Sequence, residues 1–122
     1  MAWIFDEKSP IYLQIAKNIK IKIIGHEIKQ GEQLPTVRDY AEEAGVNPNT
    51  MQRAFIELEH EGMVYSRRTA GRFVTEDPVL IEKKRSELAK DELANFISNM
   101  KNIGFSNQEI LAETENYIKE TN

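Results

Sequence analysis

Two prolines and a glycine divide the middle of this chain so closely that few folds accommodate it. The stretch Leu34–Val74 reads LPTVRDYAEEAGVNPNTMQRAFIELEHEGMVYSRRTAGRFV. Pro35 lacks an amide proton and cannot lie inside a helix, so a helix begins only after it. Thr36 suits the capping position, and Asp39 three residues on approximates a capping box. Val37, Tyr40, Ala41 and Ala44 then recur at spacings of three and four, which predicts a helix from Val37 to Ala44 with one apolar face. Gly45 ends it by supplying a left-handed residue. Val46 is apolar within the turn and is expected to fill the space between helices. Asn47 caps a second helix, and Pro48 takes its first position, where a missing N–H does no harm. That helix runs to about Glu61 on a stripe of Met51, Ala54, Phe55 and Leu58, and Gly62 stops it. Two helices joined by a short glycine-containing turn form a helix-turn-helix.

The opposite face of the second helix carries Asn49, Thr50, Gln52, Arg53, Ile56 and Glu57. On an arbitrary amphipathic helix such a face is simply solvated. Here its first turns hold side chains that can read base edges: Asn and Gln pair with adenine, Arg with guanine, and a Thr methyl touches thymine. In a helix-turn-helix this end of the second helix enters the major groove. Met63–Arg67 and Arg72–Glu76 read as two strands around a turn of Thr69, Ala70 and Gly71. Arg67, Arg68 and Arg72 cluster at its tip. They suit either an edge hairpin kept soluble by charge or a wing that meets phosphates or a minor groove. The preceding recognition helix favours the wing.

Leu34, Pro35, Thr36, Arg38, Ala41, Gly45, Val46, Thr50, Leu58, Glu61, Gly62, Gly71, Phe73 and Val74 stand in register with a known pattern. The stretch resembles the DNA-binding domain of the GntR family of bacterial transcription regulators. Asn47–Ala54 (NPNTMQRA) resembles the small YtrA-type branch in particular. The wing departs from the family pattern, with Thr69 where a glycine is usual and Arg72 where a threonine is usual. The resemblance implies a winged helix-turn-helix in a mainly α-helical chain. Its double-stranded DNA contacts would come from Arg38, Pro48, Asn49, Thr50, Gln52, Arg53, Arg67, Arg68, Thr69, Gly71 and Arg72. It also implies a homodimeric, sequence-specific repressor of a nearby operon, often one encoding an ABC transporter. The competing expectation is a winged-helix protein-interaction module without DNA binding.

Net charge supports that alternative weakly: it is −4, which does not advertise a nucleic-acid partner. Residues 1–76 carry 10 Lys/Arg against 11 Asp/Glu, and residues 77–122 carry 6 against 9, so the acidity lies mainly in the tail. Distribution decides contact, while net charge modulates non-specific affinity. There is no cysteine, which removes disulfides, thiolate chemistry and zinc knuckles. His26 and His60 are isolated, without a convergent ligand pattern. No phosphate loop, His-Glu-x-x-His or serine elbow is present. Adjacent acids such as Glu42-Glu43 do not face one another. Neither an enzyme nor a cofactor is expected. The absence of a long apolar run or a leader pattern points to a soluble cytoplasmic protein.

The flanks read as support and pairing. Trp3, Ile4 and Phe5 are strongly apolar and should dock on the first helix or a partner subunit. Ser9-Pro10 starts a helix to about Ile24 with Tyr12, Ile15, Ala16, Ile19 and Ile23 on one side, and Gly25 ends it. Lys17, Lys20 and Lys22 lie off that stripe and read as solvated. Residues 26–33 read as a connection. Asp77-Pro78 marks a boundary between a DNA-binding domain, 1–76, and a two-helix tail, 77–122. The tail helices span Val79 to about Asn102, about 35 Å at 1.5 Å per residue, and Asn107 to about Glu120, the latter opened by a Ser106/Glu109 capping box. Leu88, Leu93, Phe96, Ile97 and Met100 with Ile110, Leu111, Tyr117 and Ile118 form a stripe that two such helices cannot bury alone. An apolar stripe of this length marks an association surface, here a dimer interface. An effector site, if present, would lie between subunits or between tail and DNA-binding domain.

Overall fold

The computed structural model describes residues 3–122. In chain order it contains α1 (Ile11–Ile24), α2 (Val37–Ala44), α3 (Pro48–His60), β1 (Val64–Arg67), β2 (Gly71–Val74), α4 (Pro78–Asn102) and α5 (Asn107–Thr121). The chain divides into two compact units, Met1–Lys84 and Arg85–Asn122. The division falls within α4, beyond the Asp77-Pro78 boundary expected from sequence. The reason is packing: Ile81 is buried in the core of the first unit and Leu80 packs against it, so the opening turns of α4 belong there.

In the first unit, α1, α2 and α3 surround one core. Ile15, Ile19, Ile23, Met51, Phe55, Leu58, Met63, Val64 and Val74 are essentially inaccessible to solvent. Burial stabilises by about 1.5–3 kcal/mol for each such large side chain, set against the conformational entropy of ordering the chain. The helix-turn-helix closes as its residues require. The Thr36 hydroxyl accepts from the Asp39 amide at 3.1 Å, and the Asn47 side chain accepts from the Asn49 amide at 2.7 Å. Gly45 is left-handed, with φ 71°. Val46 packs against the core from the turn.

The start of α1 differs from expectation. Pro10 occupies the capping position, and no side chain caps the helix there. Gln14 instead folds back, donating to the carbonyls of Ser9 (2.8 Å) and Asp6 (2.9 Å) and accepting from the Asp6 amide at 3.0 Å. At the other end the left-handed residue is His26 (φ 64°), not Gly25 (φ −81°). Trp3 stands edge-on to Tyr40 with ring centres 5.3 Å apart, and Phe5 packs on the core. Ile4 between them is 83% exposed.

The strands pair antiparallel with Val64 opposite Val74 and Tyr65 opposite Phe73. They are shorter than predicted, and Gly71 opens β2 rather than closing the turn. Residues 31–34, read from sequence as a plain connection, lie along the free side of β2. The Gly31 and Leu34 amides donate to the Val74 and Arg72 carbonyls at 3.0 and 2.9 Å, and the Val74 amide donates to Glu32 at 2.9 Å. The hairpin is therefore covered on one edge, which removes a site of adventitious strand pairing.

The second unit contains the rest of α4, a reversal at Gly104 (φ 97°) and α5. Both halves of the expected capping box form: Ser106 Oγ accepts from the Glu109 amide at 3.2 Å, and Glu109 Oε1 accepts from the Ser106 amide at 2.9 Å. The Ser106 amide, and secondarily the Ser106 side chain, hold the Glu109 carboxyl below its ordinary range. Only Ile110 is fully buried among this unit's large apolar side chains.

Candidate nucleic-acid interface

Asn49, Gln52 and Arg53 are solvent-exposed on the first turns of α3, and Thr50 is half-buried. Their orientation follows from the opposite stripe, since Met51, Ala54, Phe55 and Leu58 are buried. A helix fastened by those four side chains must present the intervening positions outward. Pro48 is exposed at the first position of α3, beside the cap.

Arg53 is not a loose side chain. Its guanidinium centre lies 4.1 Å from the ring centre of Tyr12 on α1, a cation–π distance. Arg67 is similarly laid over the wing aromatics, 4.8 Å from the Phe73 ring and 5.7 Å from Tyr65. Those two rings stack at 6.0 Å across the ladder. Arg38, near the start of α2, and Arg68, at the wing tip, are exposed.

Arg72 sits differently from the other wing arginines. Its Nε donates to Glu59 Oε1 at 2.6 Å, and its guanidinium lies 5.1 Å from the Phe55 ring. The other Glu59 oxygen accepts from the Ser66 hydroxyl at 3.2 Å. One carboxylate near the end of α3 thus ties both wing strands to the reading helix. Glu59 lies outside the set of residues expected from sequence to form the site. The contact joins residues distant along the chain, and no local spacing announces it.

At the wing tip Thr69 is left-handed, with φ 68°, a conformation natural to glycine and unfavourable for a β-branched residue. Gly71 (φ 103°) stands with the Gln33 amide 3.0 Å from where a Cβ would be. The Gln33 side chain donates to the Ala70 carbonyl, holding the turn from below. Between residues 33–37, Phe55 of α3 and this turn lies an open groove of about 350 Å³, lined also by Ala70, Gly71 and Arg72. It brings the start of α2 beside the wing turn, while the exposed face of α3 lies outside its lining.

Lys20 and Lys22, read from sequence as solvated, both have partners within the unit. Lys20 of α1 reaches Glu61 Oε1 at 2.8 Å, where Lys84 of α4 joins it at 3.2 Å. Burial alone would raise the Glu61 carboxyl, but the hydrogen bonds and charges of Lys20 and Lys84 outweigh it and hold the group below its ordinary range. Lys22 lies over the Trp3 ring at 4.3 Å. Tyr40 is buried among Trp3 and Phe55, and burial, reinforced by Glu43, Glu27 and Glu32, pushes its hydroxyl up to about 12. It is a neutral core residue at any ordinary pH.

In the second unit, Phe96 (39% exposed), Leu111 (72%) and Tyr117 (68%) remain open to solvent, whereas Ile110 is 5% exposed and already used within the unit. Leu93, Ile97 and Ile118 are exposed, and Leu88 and Met100 half-buried. Phe96 and Met100 of α4 with Glu113, Thr114 and Tyr117 of α5 line a notch of about 290 Å³. Among the described residues no group of three His, Cys, Asp or Glu is placed to hold a metal. No helix among them is long and apolar enough to cross a membrane.

Residues 11–74 match the model of the family described as bacterial regulatory proteins, gntR family. The uncharacterized HTH-type transcriptional regulator YhcF of Bacillus subtilis is 37% identical over 88% of this chain and 88% of its own length. The HTH-type transcriptional repressor YtrA of the same organism is 35% identical over 73% of this chain and 69% of its own. Among solved structures, a GntR family transcriptional regulator from Listeria monocytogenes superposes with a TM-score of 0.84 at 38% identity, covering 92% of this chain and 98% of that one. The AraR DNA-binding domain in complex with operator ORX1 gives a TM-score of 0.55 at 26% identity, over 59% of this chain and 93% of its own. The chain belongs to the GntR family of bacterial regulatory proteins and is a DNA-binding transcription regulator of winged helix-turn-helix build.

Proposed function

We propose that the chain is a homodimeric repressor that binds a pseudo-palindromic operator near its own operon. The observation that carries the reading is the α3 face of exposed Asn49, Gln52 and Arg53, backed by the buried stripe of the same helix, in one unit with a wing whose Arg67 and Arg68 are exposed. Asn49, Thr50, Gln52 and Arg53 read bases in the major groove. Arg38, Arg67 and Arg68 engage phosphates or the minor groove. Arg72 contributes chiefly by holding the wing in place. Pro48, Thr69 and Gly71 allow close backbone approach. The repressor sign is supported by YtrA, a repressor by name, and operator binding by the AraR complex. The exposed stripe of the tail supports pairing of two copies, which matches the two-fold symmetry of a palindromic site. An effector, if the protein uses one, acts through the tail. A cytoplasmic location follows from acting on the chromosome.

Titration of the protein's own upstream DNA at two salt concentrations tests this. Arg38→Ala should weaken specific and unrelated DNA alike and make the salt dependence shallower, as loss of one phosphate contact does. At least one alanine variant among Asn49, Thr50, Gln52 and Arg53 should cost about 1–3 kcal/mol on the preferred site and relax preference at one base pair. Four variants with the parental sequence profile would show that α3 is not the reader.

A further inference from the structure

We propose that Tyr12, on the first turn of α1, is a positioning residue for base readout by Arg53; this rests on the DNA-reading role of α3 proposed above. The Arg53 guanidinium lies 4.1 Å from the centre of the Tyr12 ring. Tyr12 is half-buried and packed against the hydrophobic core, so its ring is a fixed surface. Arg53 stands on a helix locked from behind by Met51, Ala54 and Phe55. Both ends of the contact are therefore anchored in rigid elements, and only the arginine side chain has freedom to lose. A cation–π contact engages the charge of the guanidinium and forms no hydrogen bond to an acceptor, which leaves its N–H donors to meet the O6 and N7 of a guanine. The ring thus restricts the arginine without occupying the atoms that read DNA. Helix α1 supplies more than support: through Tyr12 it selects which orientation of Arg53 meets the groove.

The test compares Arg53→Ala, Tyr12→Phe, Tyr12→Leu and the Tyr12→Leu/Arg53→Ala pair on a panel of operators with single base-pair changes, with thermal unfolding of each protein. Arg53→Ala should relax preference at one base pair. Tyr12→Leu should relax preference at that same pair by about two- to fivefold, the double variant should show no further loss, and Tyr12→Phe should behave as the parent. A Tyr12→Leu effect that is equal at all positions, or that adds to that of Arg53→Ala, would overturn the inference. So would a Tyr12→Phe loss with a shallower salt dependence, since the hydroxyl would then be the acting group. If Arg53→Ala leaves the profile unchanged, the reading role of Arg53 itself fails, and this inference with it. If Arg53→Ala shifts the profile and a folded Tyr12→Leu does not, only the role of Tyr12 fails. Should Tyr12→Leu unfold, the ring-current shift of the Arg53 side-chain protons decides in the wild type: it should persist on binding operator DNA, and its loss would mean the arginine leaves the ring to read.

Discussion

The two units of this chain spend their apolar residues in opposite ways. In Met1–Lys84 the large apolar side chains converge on a core that excludes water, and three helices, a hairpin and the start of α4 contribute to it. In Arg85–Asn122 the stripe is equally regular along the helices, yet only Ile110 is fully buried, and Leu93, Phe96, Ile97, Leu111, Tyr117 and Ile118 stay exposed. Periodicity of apolar residues therefore shows that a face exists, not that the chain can cover it. Three helices and a hairpin enclose a volume; two helices have no third side. The first unit encloses its own core, while the second leaves apolar surface open, which is what the proposed pairing of two copies would use.

That contrast can be broken most forcefully at Phe55. It is fully buried, so Phe55→Ala should cost the first unit about 3–5 kcal/mol, independent of protein concentration in denaturant unfolding. A concentration-dependent loss would mean that this core too is shared between copies. In the tail, Phe96→Asp should act the other way. It should leave unfolding of the first unit unchanged but weaken self-association by about 1–3 kcal/mol per dimer, with loss of tight operator binding. Sedimentation and DNA titration on one sample measure both, and a variant that remains dimeric and binds normally would move the interface elsewhere.

Glu61 holds the opening turns of α4 to the first unit through Lys84. Glu61→Gln should destabilise the first unit by about 1–2 kcal/mol at neutral pH, with self-association unaltered. Because the folded fold holds this carboxyl below its ordinary range, its contribution is complete above the unfolded carboxylate pKa. It is lost as pH falls through the lower folded value. The gap between wild type and variant should therefore close on acidification, and a gap that widens would reverse the assignment. The smallest effect belongs to Thr69→Gly. Relief of a left-handed threonine is offset by the entropy of glycine, so stability should change by between zero and about 1 kcal/mol in the favourable direction, without weaker DNA binding. A marked loss of affinity in the folded variant would reveal a contact made by the threonine itself.

The elements of the helix-turn-helix were legible because their signals are local. Pro35 and Pro48 exclude helix on one side, Thr36 and Asn47 cap within three residues, and Gly45 supplies a backbone angle few other residues tolerate. The α5 start was legible for the same reason, through Ser106 and Glu109. Less legible was the state of each cation. Lys20, Lys22, Arg53 and Arg72 are all plausible surface charges in sequence. In the fold each meets a group from a different element: Glu61, Trp3, Tyr12 and Glu59.

Sequence alone determined where α2, α3 and α5 begin, which faces are apolar and which family pattern the middle of the chain follows, because capping, proline exclusion and periodicity act over a few residues. Tertiary structure decided that residues 31–34 would seal the edge of β2, and that a single Glu59 carboxylate would tie the wing to the reading helix. It also decided that Glu61 would gather lysines from α1 and α4. Each of these depends on the approach of segments far apart in the chain, and a charge or hydrogen-bond donor carries no mark in the sequence of the partner it will meet.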